Sequence, residues 1–252
     1  MAVKTLQSLV VPDEKNVLFV RPEFSRWPSL LLQNKLITQN LTGLPGSRGE
    51  LLSIAADYTH RLTGAAPHHN IAEKIIVTGH QAIWHHCGIL AKNIITSKFA
   101  QGVGGHSLHL VLDHGTYDTA MVLPKRSAND AWHFERIELE QGPVPLEFRR
   151  APQTDKIEQL IAAVTRPHQG WFCGDVWSKR AECKHRRLPP FRNITDFITC
   201  FQAALNSALG INMTYLPVSL LSEATSFLDF AASIIARAGD FARVYNRPFR
   251  NR

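Results

Sequence analysis

Lys74-Ile75-Ile76-Val77-Thr78-Gly79-His80-Gln81-Ala82-Ile83-Trp84-His85-His86-Cys87-Gly88 is the stretch that decides the fold. Its first five residues form a nearly continuous apolar run, as in a strand buried on both faces of a sheet. Gly79 reads as the end of that strand. A helix is expected to follow, because Trp84, Cys87, Leu90, Ala91, Ile94, Ile95 and Phe99 recur at helical period. Gly102, Gly104 and Gly105 end the helix, and His109-Leu110-Val111-Leu112 reads as a second buried strand, closed by Asp113-His114-Gly115. Strand, helix and strand of these lengths make a βαβ unit, with parallel strands and a right-handed crossover. Ligands of such sheets gather at the C-terminal strand ends, which here carry Thr78-Gly79-His80-Gln81 and Asp113-His114.

Upstream of this unit, Ser47 and Glu50 have capping-box spacing, and Leu51, Ile54, Ala55, Tyr58 and Leu62 line one face of a helix that Gly64 closes. Residues 1–45 read as irregular with one short strand at Asn16–Val20, punctuated by Pro28 and the Gly43-Leu44-Pro45-Gly46 cluster. Downstream, His133 to Glu140 alternates like an exposed or edge strand, and residues 157–164 read as a helix. Residues 167–193, rich in Pro, Trp, Cys and basic side chains, read as a long loop or insertion. Helices are expected over 195–209 and 223–237, with a short strand at Tyr215–Leu220 between them. The expected fold class is α/β: a Rossmann-like parallel sheet flanked by helices, in one domain spanning 1–252, with residues 194–252 as a C-terminal helical part.

The bulk properties agree with a globular protein. The chain has 252 residues, 44% hydrophobic and 19% charged, enough to bury a core without cross-links. Four cysteines at irregular spacing do not form a disulfide framework. No apolar run reaches membrane-spanning length, and the N-terminus lacks the pattern of a signal peptide, so a cytoplasmic location is expected. A net charge of +7 suits an anionic small molecule as well as it suits nucleic acid.

The residues at 78–81 carry the chemistry of a ligand-binding turn. A helix N-terminus offers free N–H groups and partial positive charge, and anions bind there. Gly79 would admit a ligand to the backbone, and Thr78, His80 and Gln81 supply a hydroxyl, an imidazole and an amide. Equally, Gly79 is a tight turn and His80 and Gln81 are solvated cap residues. The pattern is neither the dinucleotide glycine fingerprint nor a phosphate loop, and it is loosely similar to the histidine-bearing turn of nucleotidyl-transferring Rossmann enzymes. Asp113-His114 can orient a base, or Asp113 can cap a turn beside an exposed imidazole; Asp118 is a weaker candidate for the same cleft. No bound metal is expected: His168, Cys173, Cys183 and His185 are badly spaced for zinc. Lys179 to Arg187, with Trp171 and Trp177, can grip a nucleic acid, but no recognition motif accompanies the charge, and a solvated loop is the plainer reading.

Val77-Thr78-Gly79-His80-Gln81, continuing to Ala91-Lys92-Asn93, resembles the bacillithiol biosynthesis cysteine-adding enzyme family. That family carries a Thr-Gly-Gln-Gln turn opening a helix, then a strand ending in Glu-Asp-His-Asp. Thr78, Gly79 and Gln81 match the first motif, and Asp113 and His114 match the centre of the second. His80 replaces a glutamine, His85-His86-Cys87-Gly88 replaces a Gly-Gly-Pro, and Leu112 and Gly115 replace the outer acids. The family's proteins are about twice as long, so the resemblance implies a divergent, shortened relative or a fragment. It implies a ligase joining cysteine to an aminosugar-malate, with ATP or ADP in the sheet cleft, a small-molecule substrate and a homodimer. By the resemblance Thr78, Gly79, Gln81, Asp113 and His114 line that cleft; together with the reading of the two turns, the expected catalytic residues are His80, Asp113 and His114, and the expected ligand-binding residues Thr78, Gly79, Gln81, His86, Lys92 and Asn93. The alternative is a non-catalytic small-molecule-binding remnant of the same fold.

Overall fold

A computed structural model describes residues 20–39, 47–65, 74–126, 131–165 and 190–250. The expected strand at Asn16–Phe19, the zinc set, the basic segment 179–187 and the expected loop as far as 189 lie outside those residues. The chain forms two compact units, Met1–Leu44 and Pro45–Arg252.

In the first unit a turn of 3-10 helix at Phe24–Arg26 leads into helix α1, Trp27–Gln39. A helix stands where the sequence pattern, with Pro28 as punctuation, predicts irregular chain. Pro28 instead occupies the first turn of α1, where a missing N–H costs nothing and a fixed φ is already helical. Trp27 packs edge-on against Phe24 and donates its indole N–H to the Pro22 carbonyl at 2.8 Å.

The second unit is an α/β fold. Its elements run α2 (Ser47–Thr63), β1 (Ile75–Gln81), α3 (Cys87–Gly102), β2 (His106–Leu112), β3 (Met121–Arg126) and β4 (Trp132–Ile137). They continue with α4 (Thr154–Thr165), α5 (Ile194–Ala208), β5 (Thr214–Pro217), the single turn α6 (Val218–Leu221), α7 (Thr225–Ala236) and α8 (Ala238–Arg250). A parallel sheet in the order β1-β2-β5 carries the domain, and β3 and β4 form a separate antiparallel hairpin. The β1–α3–β2 crossover is the expected βαβ unit.

Both faces of β2 and β5 are covered. Val111 and Tyr215 join a core with Phe197, Ile198 and Leu160, whereas Leu108 and Leu216 join a second cluster with Ala55. The two sets differ in parity along their strands, so they occupy opposite faces. β1 departs from the expectation of burial on both faces, because Val77 is 53% exposed. Its apolar run belongs to a strand with a partner, β2, on one side only among the described strands.

Helix α5 repeats apolar residues at 194, 197, 198 and 201, all buried. Asn193 caps its first turn by accepting the Asp196 N–H, and Asp196 holds Arg61 of α2 through two 2.8 Å hydrogen bonds. Gly64 follows α2 at φ +67°, as expected of its glycine stop. Glu50, in the first turn of α2, reaches across to another helix. Its carboxylate accepts the N–H groups of Thr225 and Ser226 at the start of α7, and these contacts, Ser226's first, hold its pKa below the ordinary range.

α2 also closes the outer side of β5. The Thr59 hydroxyl donates to the Ala55 carbonyl and accepts the buried Tyr215 N–H at 2.8 Å. Replacing Thr59 by the isosteric valine strands that N–H. Denaturant unfolding of Thr59→Val should show a loss of roughly 1–3 kcal/mol; unchanged stability would mean that Tyr215 finds another acceptor.

Candidate functional site

The parallel register pairs Gly79 with Leu110, His80 with Val111 and Gln81 with Leu112. Both candidate segments therefore reach the same rim of the sheet. The local structure of the first corrects the sequence reading. Thr78-Gly79-His80-Gln81 is strand, not a strand-to-helix turn, and Ala82 extends the ladder by donating to the Leu112 carbonyl at 3.1 Å. A loop follows, and α3 opens only at Cys87. Trp84, expected on the helix, lies in that loop, where it donates to the Thr119 carbonyl and packs on Phe197 and Phe201.

Gly79 also has a different task from the one expected. A Cβ there would lie 2.9 Å from the Leu110 carbonyl oxygen and 3.2 Å from the Leu110 Cβ. Glycine is what lets β1 and β2 approach at this point. Because consecutive strand residues point to opposite faces, Gln81 is turned away from His80. Thr78 and His80 share a face with His109 and Val111.

On that face an imidazole cluster forms, with α3 alongside. His86 caps α3: its Nδ1 accepts the Gly88 N–H at 3.1 Å. Lys92, one turn further on and exposed, donates to the Gly79 carbonyl at 3.1 Å. Asn93 is wholly buried. Its carbonyl accepts the Nδ1 proton of His109 at 3.0 Å, and its amide NH2 reaches His85 Nδ1 at 3.4 Å. This fixes both tautomers: neutral His109 carries its proton on Nδ1, and neutral His85 carries its proton on Nε2. The His85 and His109 rings stack at 5.4 Å, and His80 stands edge-on to His85 and His86 at 6.1 and 6.3 Å. His85 Nε2 is buried with no hydrogen-bond partner.

Burial, reinforced by neighbouring positive charge, lowers the pKa of His85, His109 and His80. His85 is pushed down to about 3, first by burial and then by His109, His80, Lys92 and His86. His109 is pushed down to about 4 by burial, Lys92 and His80. His80 is lowered for the same reasons, partly offset by the Gln81 carbonyl.

The second segment is built otherwise. Asp113 is fully buried, and its carboxylate accepts the Ser219 N–H at 3.0 Å and the Ser219 hydroxyl at 2.6 Å. It thus fixes the chain just beyond β5, toward which it is turned. His114 is exposed. Glu147 lies close by, with its pKa raised first by burial and then by Asp113, while His114 opposes the rise. Asp118 is a surface brace of the hairpin, bonded to the Ala120 N–H, Arg136 and Gln141. Among the described residues no hydrogen bond or ring contact joins His80 or Gln81 to Asp113 or His114. The structure thus brings together His80, His86, Lys92 and Asn93 and leaves Asp113 and His114 as a neighbouring group on the same rim.

Sequence reasoning did not place His85 and His109 among the site residues. His109 was read only as part of a buried strand; its register opposite Thr78 was the missing signal. Among the described residues no group of three or more His, Cys, Asp or Glu stands ready to hold a metal ion, and no helix is long and apolar enough to cross a membrane.

Fold and rim define a small parallel α/β domain consistent with a Rossmann-like arrangement. No protein-family model, curated protein or solved structure matches the chain.

Two outcomes follow from this geometry. Gly79→Ala should cost roughly 1–3 kcal/mol by forcing β1 from β2, seen as a lower denaturant midpoint. The folded values of His85 and His109 both lie below the ordinary 6.5. Between those values and 6.5 the unfolded chain binds more protons, so the stability they contribute is complete above about pH 6.5 and declines as pH falls, toward about 4 for His109 and about 3 for His85. For His109 alone the change is on the order of 3 kcal/mol. The stability gap between the native chain and His109→Gln, measured by urea unfolding, should narrow over that window. A constant gap would contradict the burial of a neutral ring.

Proposed function

We propose that the domain binds a small anionic ligand of the nucleotide class at the C-terminal end of β1. In this reading it forms the nucleotide-holding part of a ligase-type enzyme similar to those joining cysteine to an aminosugar-malate. The observation that carries the reading is the convergence of His80, His86 and Lys92 with the N-terminus of the 16-residue helix α3 on one rim of a parallel sheet. Parallel sheets receive ligands on that rim, and a helix N-terminus with a nearby ammonium favours phosphate or carboxylate. ATP or ADP is the ligand the family resemblance implies.

A specific observation favours a second reading, ligand binding without turnover. The Asp113 carboxylate, catalytic by resemblance, is buried and engaged by Ser219. A carboxylate in that position orders the rim and does not meet substrate, which leaves His80 and His114 as the accessible candidates.

Calorimetric titration of the full chain with ATP and ADP tests the shared part of both readings. Saturable binding is expected, weakened about tenfold or more in Lys92→Met through loss of a charge-assisted contact. No binding of either nucleotide overturns the proposal. Incubation with cysteine, aminosugar-malate and ATP then separates the two: amide product establishes the ligase, and binding without product establishes the module.

A further inference from the structure

Asn93, wholly buried on α3, sets where the protons of the imidazole cluster lie. Its carbonyl accepts from His109 Nδ1 at 3.0 Å, so its NH2 group is the one that faces His85 Nδ1 at 3.4 Å. An NH2 group only donates. His85 Nδ1 is therefore an acceptor, and the neutral ring carries its proton on Nε2. With its pKa pushed down to about 3, first by burial, the ring is neutral near pH 7. The His109 ring stacks on His85 at 5.4 Å and so backs the ring as well as fixing the amide.

The Nε2–H group that results is buried without a hydrogen-bond partner. Such orphans are uncommon in folded proteins, and each costs the desolvation of a polar group. The neighbours of this one also have donors to spare. His86 Nδ1 accepts the Gly88 N–H at 3.1 Å, so its neutral ring carries its proton on Nε2 as well. Lys92 is exposed and gives one of its three ammonium protons to the Gly79 carbonyl. Two imidazole N–H groups and an ammonium in one cluster suit an oxyanion, whose oxygens each accept more than one hydrogen bond.

We infer that His85 donates its Nε2–H to a phosphate oxygen of the ligand at this rim, and that Asn93 is a positioning residue that holds the donor tautomer without touching the ligand. The inference rests on the nucleotide reading of the rim. It adds to that reading a direct donor that the sequence motifs do not single out, and it moves Asn93 from contact to support.

Long-range proton–nitrogen correlation spectra of the full chain, with nitrogen-labelled histidine, read the proton on each ring nitrogen. In the native chain near neutral pH, His85 should show Nε2–H and His109 Nδ1–H. In Asn93→Asp a carboxylate replaces the NH2 donor, and His85 should gain a proton on Nδ1. ADP should shift the His85 Nε2 signal of the native chain saturably, and adenosine, which lacks the phosphates, should leave it in place. His85→Phe keeps a flat ring and loses the donor, and should weaken ADP binding about tenfold, the worth of one hydrogen bond. His85→Gln, with an amide N–H near the same place, should recover most of that loss. The inference is overturned by a native His85 proton on Nδ1, by ADP saturation that leaves the Nε2 signal in place, or by adenosine moving it as ADP does. Native ADP affinity in His85→Phe removes this role alone, whereas absence of ADP binding to the native chain removes the nucleotide reading and this role with it.

Discussion

Among the described strands β2 has a parallel neighbour on each side, β1 along one edge and β5 along the other. Every feature of the second unit is placed by those two ladders. The register with β1 brings Gln81 level with Leu112, and so sets the imidazole cluster beside the Asp113 group. The register with β5 brings Pro217 level with Val111, so that Ser219 emerges where Asp113 can hold it. A slip of one residue would exchange the faces of a strand and put Leu110 or Leu112 where Val111 now meets the aromatic core.

The rim and its opposite end differ in how they spend polar groups. At the rim, Asn93 uses both ends of its amide to lock two imidazoles in complementary tautomers, and one ring nitrogen of His85 is left buried without a partner. Buried orphans are uncommon, and this one belongs to the same cluster as His80 and Lys92. At the other end Thr59, Thr63, Ser107 and Thr214 donate their hydroxyl protons to backbone carbonyls.

Much of this was legible in the residues. The apolar runs at 74–78 and 109–112, the glycine stop at 64 and the periodic residues of α4, α5 and α7 announced the α/β class and the parallel βαβ unit. What sequence could not supply was the meaning of Gly79. A glycine after an apolar run reads as a turn, yet here it is a close approach between strands, and the helix begins eight residues later. The cluster partners His85 and His109 became visible only through pairing, because a residue's opposite number in a ladder is not written in its local pattern. Pro28 misled for the same reason: whether proline breaks or opens a helix depends on which side of it the helix lies. His80, His86, Lys92 and Asn93 lie near one another at the start of α3, while Gln81 is turned away from His80 by a strand period that a turn does not have.

Arg149 shows how the region after β2 is held. Its guanidinium is buried and donates to the carbonyls of Val144, Tyr117 and Gly142 at 2.9, 2.7 and 2.7 Å, with no carboxylate partner among the described residues. A positive charge balanced by amide dipoles has no counter-ion to protonate and little exposure to mobile ions. The clasp it makes across 117–144 is therefore indifferent to acid and to ionic strength. The segment carrying Asp118 and the β3–β4 hairpin stays fastened under conditions that loosen surface ion pairs.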